Sequence, residues 1–348
     1  MTIFETTINS ITDLDKEAME KAKQRQDNLI KPLGSLGKLE DITIRLAGIY
    51  GEYLFDTSKK AVIAFAADHG VYEEGVAPHP QEITRIQIPN FVKGITGVGA
   101  LARFAGADIY GVDVGIKYDK ELEGVTNRKI RQGTSNMAKG PAMSREEAIK
   151  SIEIGIEETS KLIDAGYKVI GIGEMGIANT TPTSAIISVM GSYEPIEVTG
   201  IGAGLNSEGV IKKAKVIENA INLNKPDIND PIDVLSKVGG FEIGAMVGAI
   251  LCCASRRIPV VLDGFISYSS AILAIKLNPQ SKEYMIPSHF SAEPASNKAF
   301  SLLGLEPMLQ MDMRLGEGSG AALCFNIIEA ANFAYNNMST FEEAGFSV

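Results

Sequence analysis

Short runs of apolar residues recur along the chain, and each stops at an acidic residue, a glycine or a histidine. Residues 61–67 run into Asp68-His69-Gly70, residues 108–112 into Asp113-Val114-Gly115, and residues 168–172 into Gly173-Glu174-Met175-Gly176. Residues 258–262 run into Asp263-Gly264, and residues 283–287 into Ser288-His289. Apolar runs without alternation suit strands that are buried on both faces. Between them the apolar residues recur at helical spacing over 82–104, 145–165, 207–223, 241–255 and 265–277. Strand and helix therefore alternate, which predicts α/β architecture with a mostly parallel sheet covered by helices on both faces. Five or six strands can be read, fewer than the eight that close a barrel. The expectation is an open, doubly wound sheet with its ligands beyond the carboxyl ends of the strands. Helical patterns at 3–29, 36–54 and 321–333 lie outside this alternation. They are free to pack together as a small helical domain built from both termini.

Composition narrows the classes. A chain of 348 residues, 45% of them hydrophobic, can bury a large core and is not disordered. A net charge of -10 argues against a general nucleic-acid binder. No apolar run reaches membrane-spanning length, so no membrane partner is expected. Residues 1–23 lack the basic start and apolar centre of a signal peptide. Three cysteines, two of them adjacent at Cys252 and Cys253, make no disulfide framework. The expectation is a reduced, cytoplasmic protein in which the cysteines fill the core.

Candidate chemistry concentrates in glycine-rich turns. In the segment 313–322 the carboxylate of Glu317 stands between Gly316 and Gly318, with Gly320 beyond and an apolar helical run following. Glycines on both sides let a small molecule approach closely; a plain helix cap with a solvated glutamate is the simpler alternative. The turn 173–182 leaves a strand and enters a helix, with Thr181 as expected cap and Pro182 in the first turn. Its exposed N–H groups make an anion site. The turns 200–206, followed by a helix carrying Lys212 and Lys213, and 263–265 repeat the theme. None is a P-loop, and the dinucleotide spacing is absent from the first strand–helix turn, so the three turns suit a single phosphate. Asp68, Asp113 and Asp263 have a purely structural alternative as strand-end caps, and Lys213 one as a solvated helix residue. His69, His79 and His289 with Asp68 lack the spacing of a metal site, so no metal and no cofactor is expected.

Several segments together resemble the nicotinate-nucleotide–dimethylbenzimidazole phosphoribosyltransferase family. They are residues 31–37 (KPLGSLG), 67–71 (ADHGV), 140–145 (GPAMSR), 173–181, 236–241 (SKVGGF), 262–265 (LDGF), 287–291 (PSHFS) and 314–322. The resemblance spans nearly the whole chain. It implies a Rossmann-like α/β domain at 31–329, a small helical domain formed by 1–30 with 330–348, and a dimer. It implies transfer of phosphoribosyl from nicotinate mononucleotide to a benzimidazole, with release of nicotinate, in the making of the cobamide lower ligand. It places the catalytic base at Glu317, with Glu174 as a second catalytic carboxylate. Nucleotide and phosphate are expected among Gly176, Ala178, Asn179, Thr180, Gly202, Lys213, Gly264 and Ser291. The acceptor base is expected near His79, Gln87, Met175 and Leu315.

The expected chemistry needs one base. The pyridinium nitrogen of nicotinate mononucleotide is already positive, so it leaves without an acid. The acceptor must lose a proton, and desolvation raises a carboxylate toward the range where it accepts one well. Glu174 is placed to steady positive charge on the ribose. Two rival classes remain open. One is a related transferase acting on another acceptor, such as a purine or phenol. The other is a non-catalytic nucleotide-binding subunit on the same fold, which would have no need of two glutamates.

Overall fold

The computed structural model describes residues 1–345. Six strands form one sheet: β1 (Lys60–Ala67), β2 (Asp108–Gly115), β3 (Val125–Asn127), β4 (Val169–Met175), β5 (Val260–Leu262) and β6 (Met285–Pro287). Their order is β3-β2-β1-β4-β5-β6, and every neighbouring pair is parallel. The five apolar runs of the sequence correspond to β1, β2, β4, β5 and β6. All residues of β1 and β4 are buried, as expected for strands covered on both faces. The sixth strand, β3, is three residues long and partly exposed at the sheet edge, too short for periodicity to mark. A second pair, β7 (His289–Phe290) and β8 (Leu309–Gln310), is also parallel.

The strand order reverses between β1 and β4, which both start from the sheet centre and send their connections to opposite sides. Loops diverge at such a point and leave a crevice at the carboxyl ends of the strands. That crevice is where the chain places its glycine-rich turns.

Two expected helices are broken, each for a local reason. The pattern at 3–29 forms Ile3–Asn9 and Lys16–Asn28. Asp15 accepts the N–H of Ala18 and caps the second helix, so the chain restarts there. The pattern at 82–104 forms Ile83–Val92 and Gly97–Phe104. Gly94 adopts φ +71°, and Thr96 caps the second piece through Gly99 N–H. The helix expected at 36–54 spans Lys38–Tyr50 and ends at Gly51 with φ +75°. Helices Phe241–Ser255 and Phe265–Leu277 match their sequence patterns. All three cysteines are buried and unpaired.

Both ends of the chain meet. Ala18, Ala22, Leu29, Ala47 and Tyr335 form a small apolar cluster apart from the main core. Arg25 Nε donates to the carbonyl of Tyr335 at 3.2 Å, and Leu29 bridges Thr340 in antiparallel fashion. Helix Ile3–Asn9 packs instead on Arg145–Asp164 and Phe241–Ser255. The start of helix Ser319–Asn337 lies on the sheet, where a side chain on Gly171 would strike Ala321 and Phe325. The last three residues of the expected C-terminal segment lie outside the described residues. Among those described, no helix is long and apolar enough to cross a membrane.

Candidate active site

β4 delivers Glu174 and Met175 to the crevice, and the chain then turns sharply into helix Thr180–Gly191. Ala178 adopts φ +79° in this turn. The hydroxyl of Thr84 accepts the N–H of Ile177 at 3.1 Å and ties the turn to helix Ile83–Val92. The helix begins two residues earlier than expected, with Asn179 rather than Thr181 at the N-cap. Asn179 does not cap through its side chain; its Nδ2 donates to Glu174 Oε2 instead.

Glu317 arrives from the opposite side on a backbone that few residues adopt. Gly316, Glu317 and Gly318 have φ values of +76°, +67° and +92°. Glutamate at positive φ is strained, and such strain persists only where the surroundings enforce it. Two contacts enforce it here. Asp263, at the end of β5, accepts the N–H of Gly318 at 2.9 Å, of Gly320 at 2.6 Å and of Ala321 at 3.4 Å. It thereby caps helix Ser319–Asn337, whose N-terminus favours a negative group. The second contact is steric: a Cβ on Gly173 would lie 2.5 Å from the carbonyl oxygen of Glu317, so only glycine lets the loop settle on β4. Glu317 N–H then donates to Glu174 Oε1 at 3.3 Å. Gln87 Nε2 donates to Glu317 Oε1 at 3.3 Å, while Glu317 Oε2 is buried with no partner.

Between these elements lies a cavity of about 640 Å³. Glu174, Glu317, Gln87, Met175, His79 and Leu315 line one part of it. Gly176, Ala178, Asn179, Thr180, Gly202, Gly264 and Ser291 line another. Burial pushes Glu174 up to about 8, and the carboxylates of Asp263, Glu242 and Glu317 push the same way. Burial also raises Glu317, while the hydrogen bond from Gln87 opposes the rise. Two carboxyls in a shared dry site are driven apart in proton affinity.

Lys213 is not on the cavity wall. It is 1% exposed, and its Nζ donates to Thr180 Oγ1 at 2.6 Å from behind the turn. The solvated alternative for this lysine is therefore wrong: helix Ser207–Asn224 turns it inward. Burial brings it down to about 8, opposed by the carboxylate of Glu293. Glu293 also lines the cavity and has a buried oxygen with no partner. His79 lines the cavity but ties its Nε2 to the carbonyl of Ala203 at 3.1 Å, linking two walls.

The remaining strand-end residues are structural. Asp68 accepts Lys117 N–H at 2.8 Å, and Asp113 accepts the N–H groups of Gly115 and Ile116 at 3.0 and 2.8 Å. His69 is buried 2.9 Å from the carboxylate of Glu242. Among the described residues no three His, Cys, Asp or Glu side chains are grouped to hold a metal ion.

Comparison with known proteins places the chain in a family. A family model described as phosphoribosyltransferase matches residues 11–346. The nicotinate-nucleotide–dimethylbenzimidazole phosphoribosyltransferase of Clostridioides difficile (strain 630) is 61% identical over 343 residues, covering 99% of each chain. The chain belongs to the nicotinate-nucleotide–dimethylbenzimidazole phosphoribosyltransferase family. The enzyme of that name from Alkaliphilus metalliredigens (strain QYMF) is 55% identical over the full length of both chains. A crystal structure of the phosphoribosyltransferase from Thermus thermophilus superposes with a TM-score of 0.90 at 36% identity, covering 96% of this chain and 100% of that one. The chain is thus a phosphoribosyltransferase on an α/β fold, as its resemblance and its strand pattern implied.

Of the fourteen residues that the resemblance assigns to catalysis, the nucleotide and the acceptor base, thirteen line the same cavity, Lys213 being the exception. Residues that sequence reasoning left out of the site also line it: Glu293, Arg314 and His289. Glu293 sits in a stretch without periodicity, and Arg314 opens the matching segment 314–322 without being assigned a role there. His289 is a strand end in the sequence, weighed and set aside as a metal ligand, and falls in the matching segment 287–291 without an assigned role.

Proposed function

We propose that this phosphoribosyltransferase moves the phosphoribosyl group of nicotinate mononucleotide to 5,6-dimethylbenzimidazole. The products are alpha-ribazole 5′-phosphate and nicotinate, and the reaction serves cobamide lower-ligand assembly. The observation that carries this reading is Glu317 Oε2, a buried carboxylate oxygen without a protein partner on a cavity wall. An unpartnered acceptor in a dry site is costly unless a ligand supplies a donor. The acidic N–H of a benzimidazole is such a donor.

In this reading the free ring nitrogen of the acceptor attacks the ribose anomeric carbon. The bond from that carbon to the pyridinium nitrogen breaks, and its electron pair neutralises the leaving nicotinate. Glu317 takes the N–H proton of the acceptor, which leaves the new ribotide neutral at its base. Burial and the neighbouring carboxylates push Glu174 up to about 8 and so favour its neutral form, which leaves Glu317 as the carboxylate that accepts the proton. The turns at Gly176, Gly202 and Gly264, with Ser291, bind the phosphate, a group that does not react and whose binding energy positions the ribose. Lys213 acts on that site through Thr180.

The test is a product assay with nicotinate mononucleotide and dimethylbenzimidazole, following free nicotinate and the ribotide by chromatography. Stoichiometric appearance of both is expected. No nicotinate release with either a benzimidazole or another azole would overturn the reading.

A further inference from the structure

His289 stands on the cavity wall in a tautomer that its neighbours dictate. It is 1% exposed and opens the short strand β7. Its carbonyl accepts the hydroxyl of Tyr268 at 2.5 Å, so the backbone is held firmly. Its ring Nδ1 lies 2.9 Å from Ser288 Oγ. The same Oγ lies 3.0 Å from the carbonyl oxygen of Asp263. A carbonyl has no proton to give, so the single hydroxyl proton of Ser288 points at Asp263. Ser288 Oγ must then accept from His289, which places the ring proton on Nδ1. Burial lowers the proton affinity of the ring, and nearby Asp263 only partly offsets that, so the imidazole is neutral near pH 7. Nε2 is left as a bare lone pair.

That lone pair has no hydrogen-bond donor among the described residues. It lies 3.7 Å from the point a Cβ on Gly264 would occupy, and Gly264 shares the cavity wall. Any ligand group that meets it must donate. On nicotinate mononucleotide the phosphate and the carboxylate are acceptors, and a lone pair repels both. The donors on the nucleotide are the two ribose hydroxyls, and the N–H of the acceptor base is already taken by Glu317. His289 also stands between the Gly264 turn, which the donor assignment gives to the phosphate, and the start of the helix after the Glu317 loop, where a Cβ on Gly320 would lie 2.1 Å from its Nδ1.

We propose that His289 recognises the sugar: its Nε2 accepts a hydrogen bond from a ribose hydroxyl of the nucleotide donor and selects ribose over deoxyribose. This rests on the donor assignment made above. Ser288 and the Asp263 carbonyl are positioning groups that fix the tautomer.

The test compares nicotinate mononucleotide with its 2′-deoxy and 3′-deoxy analogues on the wild type, His289→Asn and His289→Gln. An asparagine amide can keep the bond to Ser288 but stops short of the Nε2 position; a glutamine reaches it. In His289→Asn, kcat/KM for the ribonucleotide should fall about tenfold, the scale of one neutral hydrogen bond. It should be unchanged for whichever analogue lacks the recognised hydroxyl, and His289→Gln should restore the preference. Comparing ratios between enzymes removes the intrinsic reactivity of the deoxy donors. Equal losses for all three donors would overturn the assignment, leaving His289 structural. A wild type that transfers nothing from any of them would overturn the donor assignment itself. Nitrogen NMR of the wild-type imidazole gives a check that needs no variant. Nε2 should be unprotonated in the free enzyme and shift on nucleotide binding, and a protonated Nε2 would refute the argument.

Discussion

The carboxylate of Asp263 accepts the backbone N–H of Gly318 at 2.9 Å, one residue beyond Glu317. A buried aspartate at the end of β5 therefore sets the position of a glutamate 54 residues away in sequence. Asp263→Asn keeps the shape but leaves one acceptor oxygen for three N–H groups, and sets an amide donor against them. A loss of stability of about 1–3 kcal/mol is expected, read from the denaturant midpoint. Turnover should fall more than nucleotide affinity, because the glutamate is displaced while the phosphate turns remain.

Glu317→Gln preserves size and the contact with Gln87 but cannot accept a proton. Turnover should drop by roughly a hundredfold or more. Calorimetric affinity for nicotinate mononucleotide should stay near the wild-type value. Wild-type turnover in this variant would remove Glu317 from the role of base.

Gln87 donates to Glu317 and opposes the upward shift that burial imposes on it. Gln87→Ala should therefore let the glutamate hold its proton to higher pH. In the pH profile of kcat/KM, the acidic limb should move upward relative to the wild type. A limb that stays put, or moves down, would mean that another group titrates there.

Glu174 gives a stability effect with a definite sign. Burial raises it from 4.5 to about 8. Between those values the folded protein holds a proton that the unfolded chain releases, so unfolding should become easier as pH rises across that window. Glu174→Gln carries no titrating group and should flatten this slope. Its stability relative to the wild type should improve steadily from about pH 4.5 to about pH 8. Parallel curves for the two proteins would contradict the assignment of the buried proton.

The acceptor side of the cavity should discriminate weakly. Met175 is an adaptable apolar wall, and Leu315 is more than half exposed. Each buried methyl contributes about 0.8 kcal/mol, so the two methyls should give dimethylbenzimidazole at most about a fifteenfold advantage over benzimidazole. Competition among dimethylbenzimidazole, adenine and a cresol should change order when His79 and Met175 are replaced. An unchanged order would show that neither side chain contacts the acceptor.

The sequence by itself determined the elements and the kind of sheet. Runs such as residues 61–67 are apolar at every position and short, which suits a strand covered on both faces, while the apolar stretch 241–255 is long enough for several helical turns. Glycines around positions 173–176 and 316–320 were also legible as places of close approach. What the sequence left open was any property set by a partner far along the chain. The breaks at 10–15 and 93–96 depend on caps at Asp15 and Thr96, which compete with a continuous apolar stripe. Lys213 looks solvated in its own helix, and it is buried only because that helix docks behind the Thr180 turn. The tautomer of His289 depends on a carbonyl from another strand, Asp263. The strained turn at Glu317 is held by Asp263 from β5 and by Gly173 of β4. Periodicity is a local property and can be read along one segment. A proton's location and a side chain's burial depend on neighbours that only the pairing of strands and the docking of helices distant in sequence bring together.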